Sequence, residues 1–277
     1  MKSRLSVLGA TAALTLSLAG CASSAPSPSG GAADSGSGES AAPSTLQQIQ
    51  DAGVLTVGTE GTYRPFSFHE DGTGELTGYD VEVITAVAEK LGVEAEFQET
   101  QFDAIFAGLE AGRFDVVANQ VSITDQRQEV YDFSEPYTVS NGVIVTSADN
   151  GGISSFEDLE GKTTAQSLTS NWYELAQESG ANVEPVEGWA QSVALLQQGR
   201  VDATINDELT YLDYQKTSND PSIKVAAETE DQSLSAVAFR KGSTELVDAV
   251  NTALGELRAE GTLAEISEEY FGTDVSQ

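Results

Sequence analysis

"FDAIFAGLEAGRFDVVANQ" (residues 102–120) and "WAQSVALLQQGRVDATIND" (residues 189–207) align without a gap. The offset is a constant 87 residues, from 102 to 189 and from 120 to 207. Each copy reads as a short helix, a glycine stop and an apolar strand. Matching positions include Phe102/Trp189, Leu109/Leu196, Gly112/Gly199, Arg113/Arg200, Asp115/Asp202 and Asn119/Asn206. Ordinary helix–glycine–strand packing would give part of this pattern. The shared G-R-x-D at equivalent places favours two similar α/β lobes.

The text around the first copy supports that reading. "VLTVG" (54–58) and "VEAEF" (93–97) have strand character, and "FDVVA" (114–118) is a third strand inside the copy. Between the first two, "DVEVITAVAEKLG" puts Val81, Ile84, Val87, Ala88 and Leu91 on one helical face, and Gly92 stops it. This βαβα order predicts a parallel, doubly wound sheet. "SEPYTVSNGVIV" (134–145) leaves the first lobe and "ETEDQSLSAVAFRKG" (228–242) returns to it. The helical ending carries Leu246, Val250, Leu254 and Leu257 on one face. If it packs on the first lobe, the chain crosses between lobes twice, which makes a hinge. The expected organisation is lobe one at 45–136 and 236–277, lobe two at 142–231, and hinge strands at 137–141 and 232–235.

The N-terminus reads differently. Lys2 and Arg4 precede "VLGATAALTLSLAG", an apolar run too short for an ordinary membrane span. It ends in "LAGC" (18–21), which resembles the lipobox of bacterial lipoproteins, with Cys21 as the lipidated residue. The expected segments are a signal peptide at 1–20 and an Ala/Ser/Gly/Pro-rich disordered tether at 21–44. Cys21 is the only cysteine, so the mature chain would hold neither a free thiol nor a disulfide. The expected location is outside the cytoplasm, anchored to the cell membrane by lipid.

The chain has 44 acidic and 13 basic residues, a formal charge of −31. Nucleic acid is excluded as a partner, because phosphate binding needs clustered Lys and Arg. Anionic headgroups would be repelled as well, so membrane attachment has to come from the lipid. His69 is the only histidine, in an Asp/Gly-rich turn that should expose it. No metal-ligand cluster, P-loop or nucleophile motif occurs, so neither metal, cofactor nor catalysis is expected.

Open parallel sheets bind ligands beyond the carboxyl ends of their strands. In the repeat those ends are "NQVSIT" and "NDELT", so Gln120 and Asp207 are equivalent and would face each other across a cleft. "SITDQR" reads as a helix start, where Ser122 and Thr124 would offer N–H and hydroxyl groups to an anion. Arg127, a turn later, can hold a carboxylate bidentately, and Asp207 can accept from an ammonium. A carboxylate and an ammonium a short distance apart describe an α-amino acid. The competing reading pairs Arg127 with Asp125 or Glu129 and leaves "SIT" as a simple cap. Tyr63 and Phe102 would be aromatic walls, or else core, and Glu60 a second acid. Thr169 and Ser170, in "QSLTSNWYELA" (166–176), could approach the ligand or merely cap a helix.

Those residues resemble the family-three solute-binding proteins of bacterial ABC importers for polar amino acids. The likeness covers nearly the whole body and rests on "GTYRPFSF", "LTGYDVEV", "GRFDVVANQVSIT", "YDFSEPY", "GRVDATIND" and "LRAEGTLAEISEEYFG". It implies a type II periplasmic-binding-protein fold, two doubly wound α/β lobes joined by a two-strand hinge, with an amino acid in the cleft. Arg127 matches the carboxylate clamp, Ser122 a residue whose N–H assists it, and Gln120 (by its carbonyl) with Asp207 the ammonium acceptors. Tyr63 and Phe102 match the rings that bracket the ligand side chain, and Glu60 an acid at the distal end of longer ligands. Thr169 and Ser170 match the lobe-two loop, although the glycine usual before the threonine is Leu168 here. "EGTYRPFSFH", "ANQVSIT", "AQSLTSN" and "DATINDEL" are most similar to the cystine-binding branch, with glutamine, glutamate or another polar amino acid as alternatives. The implied partners are the amino acid and a membrane permease, with the receptor a monomer. The rival from another class is an enzyme on the same fold, resembling cyclohexadienyl or arogenate dehydratases.

Overall fold

The computed structural model describes residues 41–276. The expected signal peptide, Cys21 and most of the expected tether lie outside the described residues. Ala41 and Ser44, at the tether's end, are hydrogen-bonded to the first lobe: Ala41 N–H donates to the Glu110 carbonyl at 2.8 Å and Ser44 Oγ to Asp115 Oδ1 at 2.5 Å.

The repeat has a local cause in each half. Its helices are Phe102–Glu110 and Trp189–Gln197, equal in length and 87 residues apart at both ends (102 to 189, 110 to 197). Gly112 and Gly199 follow with φ of 67° and 64°, the left-handed region that a side chain disfavours. The turn they allow folds the next amide back onto the helix, Arg113 N–H to the Gly108 carbonyl at 3.0 Å and Arg200 N–H to the Leu195 carbonyl at 2.9 Å. The aspartate of G-R-x-D then fastens the neighbouring parallel strand. Asp115 Oδ2 accepts from Thr56 N–H at 3.0 Å, and Asp202 Oδ2 accepts from Thr163 N–H at 2.8 Å. The motif is a helix stop followed by a strand clip, made twice.

Each lobe is built on a five-stranded sheet. In the first, Glu94–Glu99, Val54–Thr59 and Val116–Val117 run parallel, and Ala238–Arg240 and Tyr131–Phe133 follow antiparallel to their neighbours. In the second, Asn182–Pro185, Thr163–Gln166 and Ala203–Asp207 are parallel, followed by antiparallel Thr138–Ser147 and Ile223–Ser235. The wholly parallel sheets expected from the βαβα order are therefore mixed. In each sheet the fourth strand enters from the other lobe rather than through a helical crossover within its own, and this reverses its direction. The two connecting segments pair with each other, Thr138 opposite Ser235 through Asn141 opposite Gln232.

Helix Tyr79–Leu91 buries Val81, Ile84, Val87, Ala88 and Leu91 and ends at left-handed Gly92. Helices Thr244–Glu260 and Thr262–Phe271 pack against it, burying Leu246, Val250, Leu254 and Leu257 in the first lobe's core. Each such side chain contributes about 1.5–3 kcal/mol when fully buried. A separate core in the second lobe gathers Val143, Val145, Ala165, Val193, Leu196 and Val201.

The clip gives a direct test. Asp115 also accepts from Thr56 Oγ1 at 2.7 Å and is part-buried, whereas the Asp202 bond is exposed. Asp115→Ala should lower unfolding free energy by about 2 kcal/mol, because it strands a sheet amide and a hydroxyl. Asp202→Ala should cost clearly less, and urea melts of the two variants measure the difference.

Candidate ligand-binding site

Each copy of the repeat carries an asparagine as its penultimate residue, Asn119 and Asn206, both lining the cleft, and each orients a residue of the loop after the first strand. Asn119 Oδ1 accepts from Glu60 N–H at 2.8 Å and Thr59 Oγ1 at 3.0 Å, while its Nδ2 donates to Glu60 Oε2 at 2.7 Å. Asn206 Oδ1 accepts from the Tyr63 hydroxyl at 2.9 Å, across the lobes, and Thr210 Oγ1 donates to that hydroxyl at 3.2 Å. The next residue differs between copies. Gln120 adopts φ of 49° and is held by buried Asp80, whose Oδ2 accepts from Gln120 N–H at 2.7 Å and Oδ1 from Nε2 at 2.6 Å. Asp207 caps helix Glu208–Ser218 through Leu209 N–H at 2.9 Å and accepts from the Ser140 hydroxyl on a connecting strand.

Between the lobes lies a cavity of about 510 Å³, within the ~300–1,000 Å³ usual for small-molecule sites. Glu60, Tyr63, Phe102 and Gln120 of the first lobe and Ser170 of the second line it, five of the nine expected ligand-binding residues. Ser122, Arg127, Thr169 and Asp207 are not among the residues that line it. Three residues of the lining carry a buried polar atom with no partner in the protein: Gln120 Oε1, Gln166 Nε2 and Trp189 Nε1. A buried group left unpaired is costly, so such a lining favours a polar guest.

Arg127 is 9% exposed. Its Nη1 donates to the Ser122 carbonyl at 2.8 Å and its Nη2 to the Thr169 carbonyl of the other lobe at 3.0 Å. Two of five guanidinium N–H groups are thus used by the protein. The guanidinium lies 5.2 Å from the centre of the Phe106 ring and 6.0 Å from that of Phe102. It makes no ion pair with Asp125 or Glu129. Burial pulls it down to about 10, so it stays charged at neutral pH. Helix Asp125–Val130 starts one residue after Thr124, which caps it by accepting from Arg127 N–H at 3.2 Å. Ser122 therefore precedes the helix: its amide is not one of the helix's terminal N–H groups, and its hydroxyl bonds Ser233 at 2.9 Å.

Thr169 and Ser170 belong to a loop that the first lobe grips. Asp103 accepts from Thr169 N–H and Oγ1, both at 3.0 Å, and from Leu168 N–H at 3.3 Å. Ser170 caps helix Asn171–Glu178 through Tyr173 N–H at 3.0 Å. His69, expected to be exposed, is half-buried, with Nδ1 2.8 Å from the Gly74 carbonyl and Nε2 3.0 Å from Glu99 Oε2. Both ring nitrogens face oxygens, which suits the imidazolium, and the Glu99 contact raises its pKa.

Sequence reasoning missed Asp80, Asp103, Trp172, Glu187 and the unpartnered Gln166. In a chain so rich in acid, nothing marks Asp80 or Asp103 as internal. The repeat did mark Asn119 and Asn206 as equivalent, and that signal leads to their shared orienting role. Among the described residues no group of three or more His, Cys, Asp or Glu could hold a metal ion, and no helix is long and apolar enough to cross a membrane.

Two α/β lobes, a pair of connecting strands and a polar cavity between them define a type II periplasmic-binding fold, the scaffold of solute receptors. The chain belongs to the bacterial extracellular solute-binding proteins, family 3, which it matches over residues 55–273. It is 56% identical over 229 residues to the L-cystine-binding protein TcyA of Bacillus subtilis (strain 168), covering 83% of this chain and 85% of that one. Among solved structures it is 49% identical to the L-cystine solute receptor of Neisseria gonorrhoeae in its unliganded open conformation, at a TM-score of 0.57 over 85% of this chain and 100% of that one. An ancestral arginine-binding protein bound to arginine is only 37% identical yet has a TM-score of 0.74, over 79% and 99% of the two chains. Bonds from Asp103, Arg127 and Tyr63 join the two lobes across the cleft. The close relatives are solute-binding receptors rather than enzymes.

The buried carboxyls set a pH dependence. Burial is the leading cause that pushes Asp80 and Glu60 up to about 7 and Asp207 to about 6, against ~4 for a carboxyl in the unfolded chain. The folded state then holds more protons between these values, so stability is full below pH ~4 and is lost as pH rises through 6–7. The Tm should fall from pH 5 to pH 8. Asp80→Asn should narrow that difference by a few degrees, which differential scanning calorimetry measures. The surface carboxylates are common to both proteins and cancel in the comparison.

Proposed function

We propose that this protein is the receptor of an ABC importer for L-cystine, held at the outer face of the cell membrane by lipid on Cys21. It captures the amino acid in the cleft and presents the closed form to a membrane permease as a monomer. The observation that carries the reading is the cavity itself: unpartnered polar atoms and a carboxyl at Glu60, enclosed between lobes that already contact each other. The relatives named for cystine support this ligand over glutamine or glutamate.

In this reading one head of the ligand lies near Phe102. Its carboxylate takes the N–H groups of Arg127 that Ser122 and Thr169 leave free, with the Ser122 amide assisting. Its ammonium meets the Gln120 carbonyl and the negative field of Asp207. Tyr63 and Phe102 bracket the middle of the ligand, and the far ammonium reaches Glu60. Thr169 and Ser170 bring the second lobe over the carboxylate end. Closure excludes water, which strengthens each charge contact, and the ligand favours the closed state because it touches both lobes.

Isothermal titration of the protein with cystine, cysteine, glutamine and glutamate tests this. Cystine should bind most tightly, and Arg127→Ala should weaken it by on the order of 100-fold while leaving a cooperative thermal melt. Tight binding retained in Arg127→Ala, or a preference for glutamate, would overturn the reading.

A further inference from the structure

Asp103 stands where the two lobes meet, yet it does not line the cavity. It lies in the first turn of helix Phe102–Glu110, whose N-cap residue, Gln101, makes no side-chain cap bond. The carboxylate bonds the second lobe instead. Its Oδ1 accepts from Thr169 N–H and Thr169 Oγ1, and its Oδ2 from Leu168 N–H. Those two amides lead into helix Asn171–Glu178, which Ser170 caps. One carboxylate thus sits at the N-terminal ends of two helices, one from each lobe, where negative charge is favoured.

Other contacts across the cleft involve the ligand's own surroundings or are weaker. Tyr63, bonded to Asn206, lines the cavity. Arg64 and Asp213 form a single contact at 3.4 Å with the Arg64 side chain exposed, a kind of pair worth little. Thr169 is held on both sides of its backbone, its N–H and hydroxyl by Asp103 and its carbonyl by Arg127 Nη2. The carbonyls of Thr169 and Ser122 engage the two Nη atoms of the guanidinium. The place of Thr169 therefore sets the direction in which the remaining N–H groups of Arg127 point.

We propose that Asp103 is a positioning residue for ligand capture: it latches the loop at Leu168–Thr169 to the first lobe and, through the Thr169 carbonyl, aims Arg127 at the ligand carboxylate. This rests on the reading above that Arg127 receives that carboxylate. The latch joins protein groups to each other, so its contribution is the same for every ligand on which the cleft closes. It slows reopening and leaves the first encounter with the open cleft unaffected. Affinity rises by the factor through which the latch favours the closed state. Asp103 also acts at a distance on Glu60, whose carboxyl it pushes up by repulsion. Asparagine separates the two effects, because its Oδ1 keeps both Thr169 bonds while the charge is gone.

Stopped-flow fluorescence tests the latch, since Trp172 and Trp189, the chain's two tryptophans, both line the cavity. Asp103 is exposed, so Asp103→Ala and Asp103→Asn should both melt as cooperatively as wild type. With cystine and glutamine as probes, Asp103→Ala should speed dissociation of each bound ligand about tenfold, the size of one charge-assisted contact, with association rates unchanged. Asp103→Asn should stay within about threefold of wild type. Dissociation from Asp103→Ala within about twofold of wild type would overturn the latch. So would Asp103→Asn releasing ligand as fast as Asp103→Ala, which would assign the effect to charge alone. If wild type binds a probe and either result appears, only this inference falls; if wild type binds neither, the functional reading falls and takes the latch along.

Discussion

Asn119, just past strand Val116–Val117, and Asn206, in strand Ala203–Asp207, stand at equivalent places of the repeat beside one cleft, and hydrogen bonds to those two side chains position what the cavity presents. Asn119 holds both the backbone and the carboxyl of Glu60, and Asn206 receives the Tyr63 hydroxyl from the opposite lobe. One bond is internal to a lobe and the other spans the gap, so the first shapes the site and the second depends on closure. The strand clips at Asp115 and Asp202 keep the strands in the register that brings the asparagines there. A sheet that slipped by one residue would turn both away.

Charge within the cleft is sorted against the charge of the whole chain. At −31 overall, a buried guanidinium is a scarce feature, and Arg127 is satisfied by carbonyls from both lobes rather than by any nearby carboxylate. Carbonyls solvate the cation without neutralising it, so its field remains available to an anion. Glu60 is the counterpart at the other end, raised to about 7 by burial and by neighbouring acids. Arg127 is therefore charged at neutral pH, whereas Glu60 is about half protonated there and gains its full charge only when a cation approaches. Building both poles into a water-poor cleft costs desolvation, and that cost is offset only when ligand charges meet them.

The fold was largely legible because its signals are local. The helix–glycine–strand repeat, the stop at Gly92 and the apolar face of the last helices all follow from periodicity and left-handed glycine. The mixed character of the sheets was not legible, since the direction of the fourth strand depends on a path through the other lobe. In the site, the repeat pointed to the strand ends, and Gln120 does line the cavity. Ser122 was read as a helix amide, whereas the helix starts at Asp125, where the Thr124 cap turns the chain. Asp80 and Asp103 were hidden by composition, because an aspartate among 44 acids gives no sign that it grips a buried glutamine or a loop of the opposite lobe. Gln166 and Glu187 come to line the cavity only through the way the second lobe folds.

The central claim is that the cleft orients a cystine with one carboxylate toward Arg127 and the far ammonium toward Glu60. A crystal structure of the protein grown with L-cystine tests it most directly. The account predicts one ligand carboxylate within hydrogen-bonding distance of the Arg127 guanidinium and the opposite ammonium beside the Glu60 carboxyl. A ligand outside the cavity, or one whose carboxylates both lie away from Arg127, would contradict it.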